Sequence, residues 1–350
     1  YIQSDSSIEF DLENGPLLRA TLLKVDHSRY IIYFNLHHII CDGWSMDILI
    51  KEIISFYKEY SVGNTPSIES LKIQYKDYAT WQVSQINNNK SHLTSKTYWL
   101  KELSGDLPIL DLPSTYRRPS IKTYNGHGFK TYLSKELTSD IKQFGKDRGG
   151  SLFMTLLSSW NILFHKYTLD RDIIIGSPVS GRGHSDLKDQ IGFYINMLAF
   201  RNTINPEESI NNFYSRVRQI TLSAYNHQLY PFDSLLEDLE LKRDVSRNPL
   251  FDIMLTLQNS GSDINNYNIT DNEAGGIFDM GPKISKYDIE LSFQEIGDYL
   301  LFNITYNVNV YSAYFIERII KHYKCILHNL ISNPNEKLLS LNYLSKEEEK

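Results

Sequence analysis

The stretch from Tyr30 to Gly43, YIIYFNLHHIICDG, constrains the fold of this chain more than any other segment. Tyr30 to His38 is rich in Ile, Tyr and Phe, residues that suit a pleated strand. Its continuous apolar character predicts a strand buried on both faces. Asp42-Gly43 breaks that strand. Ser45 then stands as the N-cap of a helix running to about Tyr60, with Met46, Leu49, Ile53 and Phe56 at helical spacing on one face. A strand that turns directly into an amphipathic helix calls for a layered arrangement, α/β or α+β. Downstream segments keep the alternation. A helix is expected at 151–167, strands at 172–179 and 193–201, and a helix from Ile210 to Ala224 with Ile210, Phe213, Val217 and Ile220 on one stripe. Strands follow at 251–258, 286–295 and 299–308, then a closing helix from Phe315 to Leu330. No solenoid-type repeat is present.

With 350 residues the chain exceeds one ordinary core, which predicts two lobes. Either the Asn-rich stretch 83–97 or the stretch 104–122, with Pro108, Pro113 and Pro119, should carry the crossover between them. A formal net charge of −6 argues against a general nucleic-acid binder. No apolar run approaches the ~18 residues of a membrane helix. The two cysteines, Cys41 and Cys325, cannot make a disulfide framework, so a reducing, cytoplasmic setting is expected. No basic region followed by an apolar core is seen at residues 1–30, so no signal peptide is expected.

The chemistry concentrates around His37 and His38. Neighbouring side chains on a regular strand point to opposite faces, so one imidazole faces a cavity while the other packs or hydrogen-bonds inside. Adjacent strand histidines chelate poorly, and no metal is expected. The bland alternative is a pair of satisfied core histidines. Three neighbours weigh against it. Asp42 lies four residues beyond His38. Gly43 permits a turn that a side chain would block. The following helix aims its N-terminal amides back toward the turn, which suits a developing oxyanion. Histidine is the usual general base because its pKa lies near operating pH. Cys41 supports a rival, an acyl-accepting thiol; no thiolate-stabilising charge is evident except His38, and a small buried filler is the plainer reading. His37 also precedes Asp42 in the H-x4-D arrangement of glycerolipid acyltransferases; those are membrane-associated, and the lack of a membrane-length apolar run in these residues makes that reading the less expected one. GxSxG elbows, phosphate loops and paired CxxC motifs are absent from the sequence.

HHIICDGWS resembles the HHxxxDG signature of condensation domains from nonribosomal peptide synthetases. Further motifs follow in the family's order. Tyr75 to Trp81, YKDYATW, resembles Y-x-D-[FY]-A-x-W, and Ile191 to Asn196, IGFYIN, resembles IGxFVN. His227 to Asp233, HQLYPFD, resembles HQDYPFE, and Arg243 to Leu250, RDVSRNPL, resembles RDxSRNPL. The resemblance implies a chloramphenicol-acetyltransferase-like fold, a V-shaped pseudo-dimer of two lobes with a tunnel between them. It implies amide-bond formation between a donor acyl thioester and an acceptor aminoacyl thioester. Both substrates would ride on the 4'-phosphopantetheine arms of donor and acceptor peptidyl carrier domains; no cofactor is expected to bind directly.

His38, the second histidine, is then the catalytic residue. His37 is structural by the strand-face argument, at the edge of the substrate region. Asp42 and Gly43 support the turn, and Asp42 needs a cationic partner. Ser45 caps the helix, Trp44 is core or tunnel wall, and Asn196 is a structural hydrogen bonder or a tunnel-lining group; His37, Trp44, Ser45 and Asn196 are the candidate substrate contacts. The family's motifs SxAQxRLW and RHExLRT are absent, and 36 residues precede His37. This reads as a shortened first lobe, with the arginine expected opposite Asp42 in the missing portion. Cys41 replaces the usual Ser, and Leu229 replaces an Asp. Residues 1–100 are assigned to the first lobe, 101–338 to the second, and 339–350 to a linker toward an adenylation domain. The rival readings are an epimerisation domain of the same fold and a non-catalytic docking module.

Overall fold

The computed structural model describes residues 1–88, 90–258, 284–344 and 348, and these fall into two compact units. The first comprises residues 1–88 and 180–195. It contains α1 (Ile2–Ser6), β1 (Leu18–Lys24), β2 (Tyr30–Leu36), α2 (Gly43–Ser61) and α3 (Tyr75–Asn88). β1 and β2 form an antiparallel two-stranded sheet in which Leu18 faces Leu36 and Lys24 faces Tyr30.

The expectation of a doubly buried strand fails here. Tyr30, Ile31 and Ile32 are exposed among the described residues. β-branched and aromatic side chains dictate the extended backbone, but only further layers bury a strand, and layers are not a local property. β2 also stops at Leu36, so His37 and His38 lie beyond it. Asp42, not Ser45, caps α2: its side chain accepts a hydrogen bond from the Ser45 amide, and Ser45 sits in the first turn.

The second unit comprises Lys90–Val179 and residues 196–258, 284–344 and 348. Its elements are α4 (Lys90–Glu102), β3 (Gly126–Leu133), α5 (Lys135–Asp147), α6 (Leu152–Thr168), β4 (Asp172–Val179), β5 (Asn196–Thr203), α7 (Ile210–Asn226), α8 (Phe232–Asp238), β6 (Ile253–Gln258), β7 (Ile289–Ile296), β8 (Tyr299–Asn307) and α9 (Ala313–Ser332). Six strands form one mixed sheet in the order β3-β8-β7-β6-β4-β5, with β6 parallel to both β4 and β7 and the other pairs antiparallel. α6 is buried from Leu152 to His165 because α5, α7 and α9 pack around it. Its LFMTLLSSWNILF run is apolar on every side, as a central helix must be. The polar residues inside it turn to their own backbone: Ser158 bonds Met154 O and Asn161 bonds Leu157 O. Trp160 stacks on Tyr323 of α9 with centroids 4.0 Å apart, and Phe293 stacks on Phe302 across β7 and β8. Each such buried side chain contributes about 1.5–3 kcal/mol.

The chain passes from the first unit to the second between α3 and α4, inside the Asn-rich stretch, but the two units are not contiguous in sequence. Within 83–97 the described residues lie in α3 and α4, since Gln, Lys, Leu and Thr at the right spacing sustain a helix in spite of the asparagines. Residues 90–100 cluster with the second unit, and 180–195, between β4 and β5, cluster with the first. In the terminal run 339–350, residues 345–347, 349 and 350 lie outside the described residues. No helix among the described residues is long and apolar enough to cross a membrane.

Candidate active site

The site lies in the first unit and is built on one buried carboxylate. Asp42 is 1% exposed, and its oxygens are fully engaged. Oδ1 accepts from the Ser45 amide at 2.8 Å, the Ser45 hydroxyl at 2.7 Å and Arg182 Nη2 at 3.0 Å. Oδ2 accepts from the Tyr194 amide at 3.1 Å. The Asp42 amide in turn donates to Gly192 O at 3.2 Å. A buried charge requires this degree of compensation. With its lone pairs so committed, the carboxylate has no acceptor capacity left for a proton relay.

Arg182 is the partner that the sequence reading placed outside this chain. It stands 140 residues beyond Asp42. Its Nη1 donates to Leu187 O at 2.6 Å and Gln190 O at 2.7 Å, and its guanidinium lies 4.1 Å above the Tyr194 ring. Asp42 is therefore paired, and the account of an orphaned aspartate is wrong. No local signal marks Arg182: it sits in a polar loop, SGRGHSD, and only the fold returns that loop to the first unit. Gly181 makes the return possible. Its φ is +64°, and a Cβ there would come 1.9 Å from Tyr194 O.

Ser45 completes the frame. Its Oγ accepts from Arg182 Nη2 at 2.7 Å and from the Gly192 amide at 3.0 Å, and its single hydrogen is shared between Asp42 Oδ1 and Gly192 O. At 0% exposure it offers nothing to a substrate. The two elements, the Asp42 turn and residues 192–194, are thus joined by a buried polar network. Helix α3 closes it from another side: Tyr75 donates from its hydroxyl to Phe193 O at 2.9 Å, and Tyr78 packs on Tyr194 at 4.7 Å. Gln190 accepts from the Tyr194 hydroxyl and donates to Ile73 O. Burial pushes the Tyr75 phenol above its ordinary range and that of Tyr194 up to about 12, so both are donors at neutral pH.

His37 and His38 do not alternate across a strand. The backbone leaves β2 and enters a short 3₁₀ turn, His38–Ile40. His37 caps that turn, with Nδ1 accepting from the Ile39 amide at 3.2 Å, and its ring meets Phe10 edge-on. This contact comes from the turn and not from the opposite face of a strand. His38 is exposed, and among the described residues no group hydrogen-bonds its ring nitrogens. Its ring lies edge-to-face with Phe193, centroids 5.4 Å apart.

The remaining candidates separate. Gly43 has no positive φ, and a Cβ there would meet nothing within 4 Å, so the turn itself does not exclude a side chain. Trp44 is 44% exposed and donates Nε1 to Lys188 O at 2.8 Å. Asn196 belongs to the second unit, where Nδ2 donates to Gln228 O and Tyr230 O and Oδ1 accepts from the Phe232 amide. These three hydrogen bonds tie its amide to the HQLYPFD segment. Cys41 is buried, and burial raises its thiol pKa, the opposite of an activated nucleophile.

A family model described as "Condensation domain" matches residues 1–350. The chain is 37% identical over 346 residues to gramicidin S synthase 2 of Aneurinibacillus migulanus, covering 97% of this chain and 7% of that protein. It is 35% identical over 342 residues to tyrocidine synthase 3 of Brevibacillus parabrevis, covering 97% of this chain and 5% of that protein. The chain thus spans less than a tenth of these curated relatives. Among solved structures it resembles a four-domain nonribosomal peptide synthetase bound to AMP and glycine, with a TM-score of 0.85 and 23% identity over 99% of this chain and 27% of that one. It resembles equally the X-domain from teicoplanin biosynthesis, with a TM-score of 0.85 and 18% identity over 98% of this chain and 78% of that one. At these identities the structural matches speak for the fold, a mixed α/β fold of the chloramphenicol-acetyltransferase type.

Proposed function

This chain belongs to the condensation-domain family, and on that premise we propose that it forms an amide bond between two carrier-tethered substrates, with His38 at the reaction centre. The donor is an acyl or peptidyl thioester and the acceptor an aminoacyl thioester, each presented on the 4'-phosphopantetheine arm of a peptidyl carrier domain. An adenylation domain is the neighbour proposed for the parent polypeptide. The acceptor amine attacks the donor carbonyl, loses a proton, and the donor sulfur leaves as a thiol. His38 accepts that proton and returns it to the sulfur as the C–S bond breaks, or orients the amine, a role that contributes about 10²–10⁴-fold. Positioning of two tethered reactants contributes alongside it.

One observation carries the reading. The His38 imidazole is exposed and its ring nitrogens make no hydrogen bond among the described residues, while the turn bearing it is held by a fully satisfied buried network. A rigid support beneath a free base is what proton transfer at a fixed place requires. Asp42 and Arg182 act through the turn. The test is His38→Ala with preloaded donor and acceptor carriers, following dipeptidyl-carrier formation by mass spectrometry. Turnover should fall about 10²–10⁴-fold with no change in melting temperature. Turnover near wild type would end the reading and favour a docking module of the same fold.

A further inference from the structure

We infer that Phe193 is a positioning residue, whose ring holds the His38 imidazole in its working orientation; this rests on the reading of His38 above. Phe193 occupies the unspecified position of the IGxFVN pattern, so the motif assigns it no role. Its backbone has little freedom. Gly192 N donates to Ser45 Oγ at 3.0 Å, and Gly192 O accepts from the Asp42 amide at 3.2 Å. Phe193 O accepts from the Tyr75 hydroxyl at 2.9 Å, and Tyr194 N donates to Asp42 Oδ2 at 3.1 Å. Four hydrogen bonds over three residues place the Phe193 Cα relative to the Asp42 turn, and hence relative to His38.

The side chain is the part not used by the frame. At 39% exposure it adds little to a core, and its ring meets His38 at 5.4 Å with an interplanar angle of 81°. Edge-to-face pairs are directional, so the contact selects a ring orientation and does not merely fill space. Histidines that move protons are ordinarily oriented by a hydrogen bond to the second ring nitrogen. Among the described residues His38 has no such bond, and the Phe193 ring supplies the orientation in its place. Tyr75 stands one step further out, because its hydroxyl fixes the carbonyl of Phe193.

The experiment compares Phe193→Leu, which keeps apolar bulk and loses the ring, with Phe193→Tyr, which keeps the ring. The carrier-loaded assay is run beside His38→Ala, and the His38 imidazole protons are observed by NMR without substrate. Phe193→Leu should lower kcat about tenfold with KM for the loaded acceptor within about twofold. It should also let the His38 ring sample more than one orientation, read from nuclear Overhauser contacts between the His38 ring protons and residues 39–42, and Phe193→Tyr should restore both. If Phe193→Leu does not fold, Tyr75→Phe is the substitute, with a loss of about threefold in kcat and a smaller change in the same contacts. Wild-type kcat with unchanged His38 contacts in the Leu variant, or equal loss in the Leu and Tyr variants, would overturn the inference. Full activity in His38→Ala would instead overturn the role of His38, and the NMR comparison would still decide whether Phe193 orients the ring.

Discussion

The two units are held together by different physics. Around His38 the first unit relies on polar groups: Asp42, Ser45 and Arg182 are each below 10% exposed and satisfy one another, while Leu22, Tyr30, Ile31 and Ile32 of its sheet remain exposed. The second unit relies on apolar packing, with α6 enclosed by three helices and the Trp160–Tyr323 stack at its centre. Apolar burial is strong but indifferent to small shifts in register, whereas a network of charged hydrogen bonds tolerates one geometry. The unit that carries His38 has the specific kind of support, and the unit built around α6 has the forgiving kind.

The most severe test is Arg182→Ala. It leaves Asp42 buried and unpaired, and should cost about 3–5 kcal/mol. Hydrogen exchange should accelerate over 36–50 and 190–195, with α6 still protected; loss of protection in α6 first would reverse the assignment of the two regions. Next comes Leu163→Ala in the second unit, a fully buried side chain, expected to cost about 2–5 kcal/mol. Its effect should be a lower melting temperature with α6 and α9 exchanging faster, and a change below 1 kcal/mol, the scale of an exposed site, would show that the α6 packing is loose.

Acid should separate the units more gently. Burial lowers the pKa of His92 and of His227, which stacks on Tyr98 and bonds Ser95. Below the ordinary value of 6.5 the unfolded chain binds protons that the folded one resists, so stability falls as pH drops from neutral and levels off below the folded pKa values. The loss should concentrate in α4 and the 227–238 segment. Unchanged exchange there between pH 7.5 and pH 5.5, which bracket the ordinary imidazole value, would remove the burial argument. The smallest effect is expected of Cys41→Ser: less than about 1 kcal/mol in stability and unchanged turnover, since the thiol only fills the turn and touches Asp42 O at 3.5 Å. An acyl group trapped on Cys41 would restore the covalent mechanism.

Much of this was legible along the chain. Helices α6, α7 and α9 and strands β4, β6, β7 and β8 stand within a few residues of their expected spans, because each has a strong apolar period and clear end signals. The passage between units falls in the Asn-rich stretch, one of the two places expected for it, but the helical character of α3 and α4 on either side was hidden, since local polarity resembles a loop when the buried face is short. β5 starts at Asn196, later than expected, because residues 192–194 are drawn to Asp42 instead.

The region around His38 divides in the same way. HHIICDG could be read as a turn holding a histidine and a carboxylate, since residue types and spacing within seven positions are local information. The sequence also determined that Asp42 must find a cation, because a carboxylate inside a protein is otherwise too costly. Which cation it finds was decided by tertiary structure alone. Arg182 lies in an unremarked loop between two strands of the other unit's sheet, and only Gly181's left-handed backbone and the clamp at residues 192–194 bring it back. The ring contact between Phe193 and His38 is of the same kind: two residues 155 positions apart meet because hydrogen bonds fix both backbones, and no periodicity in the chain encodes that distance.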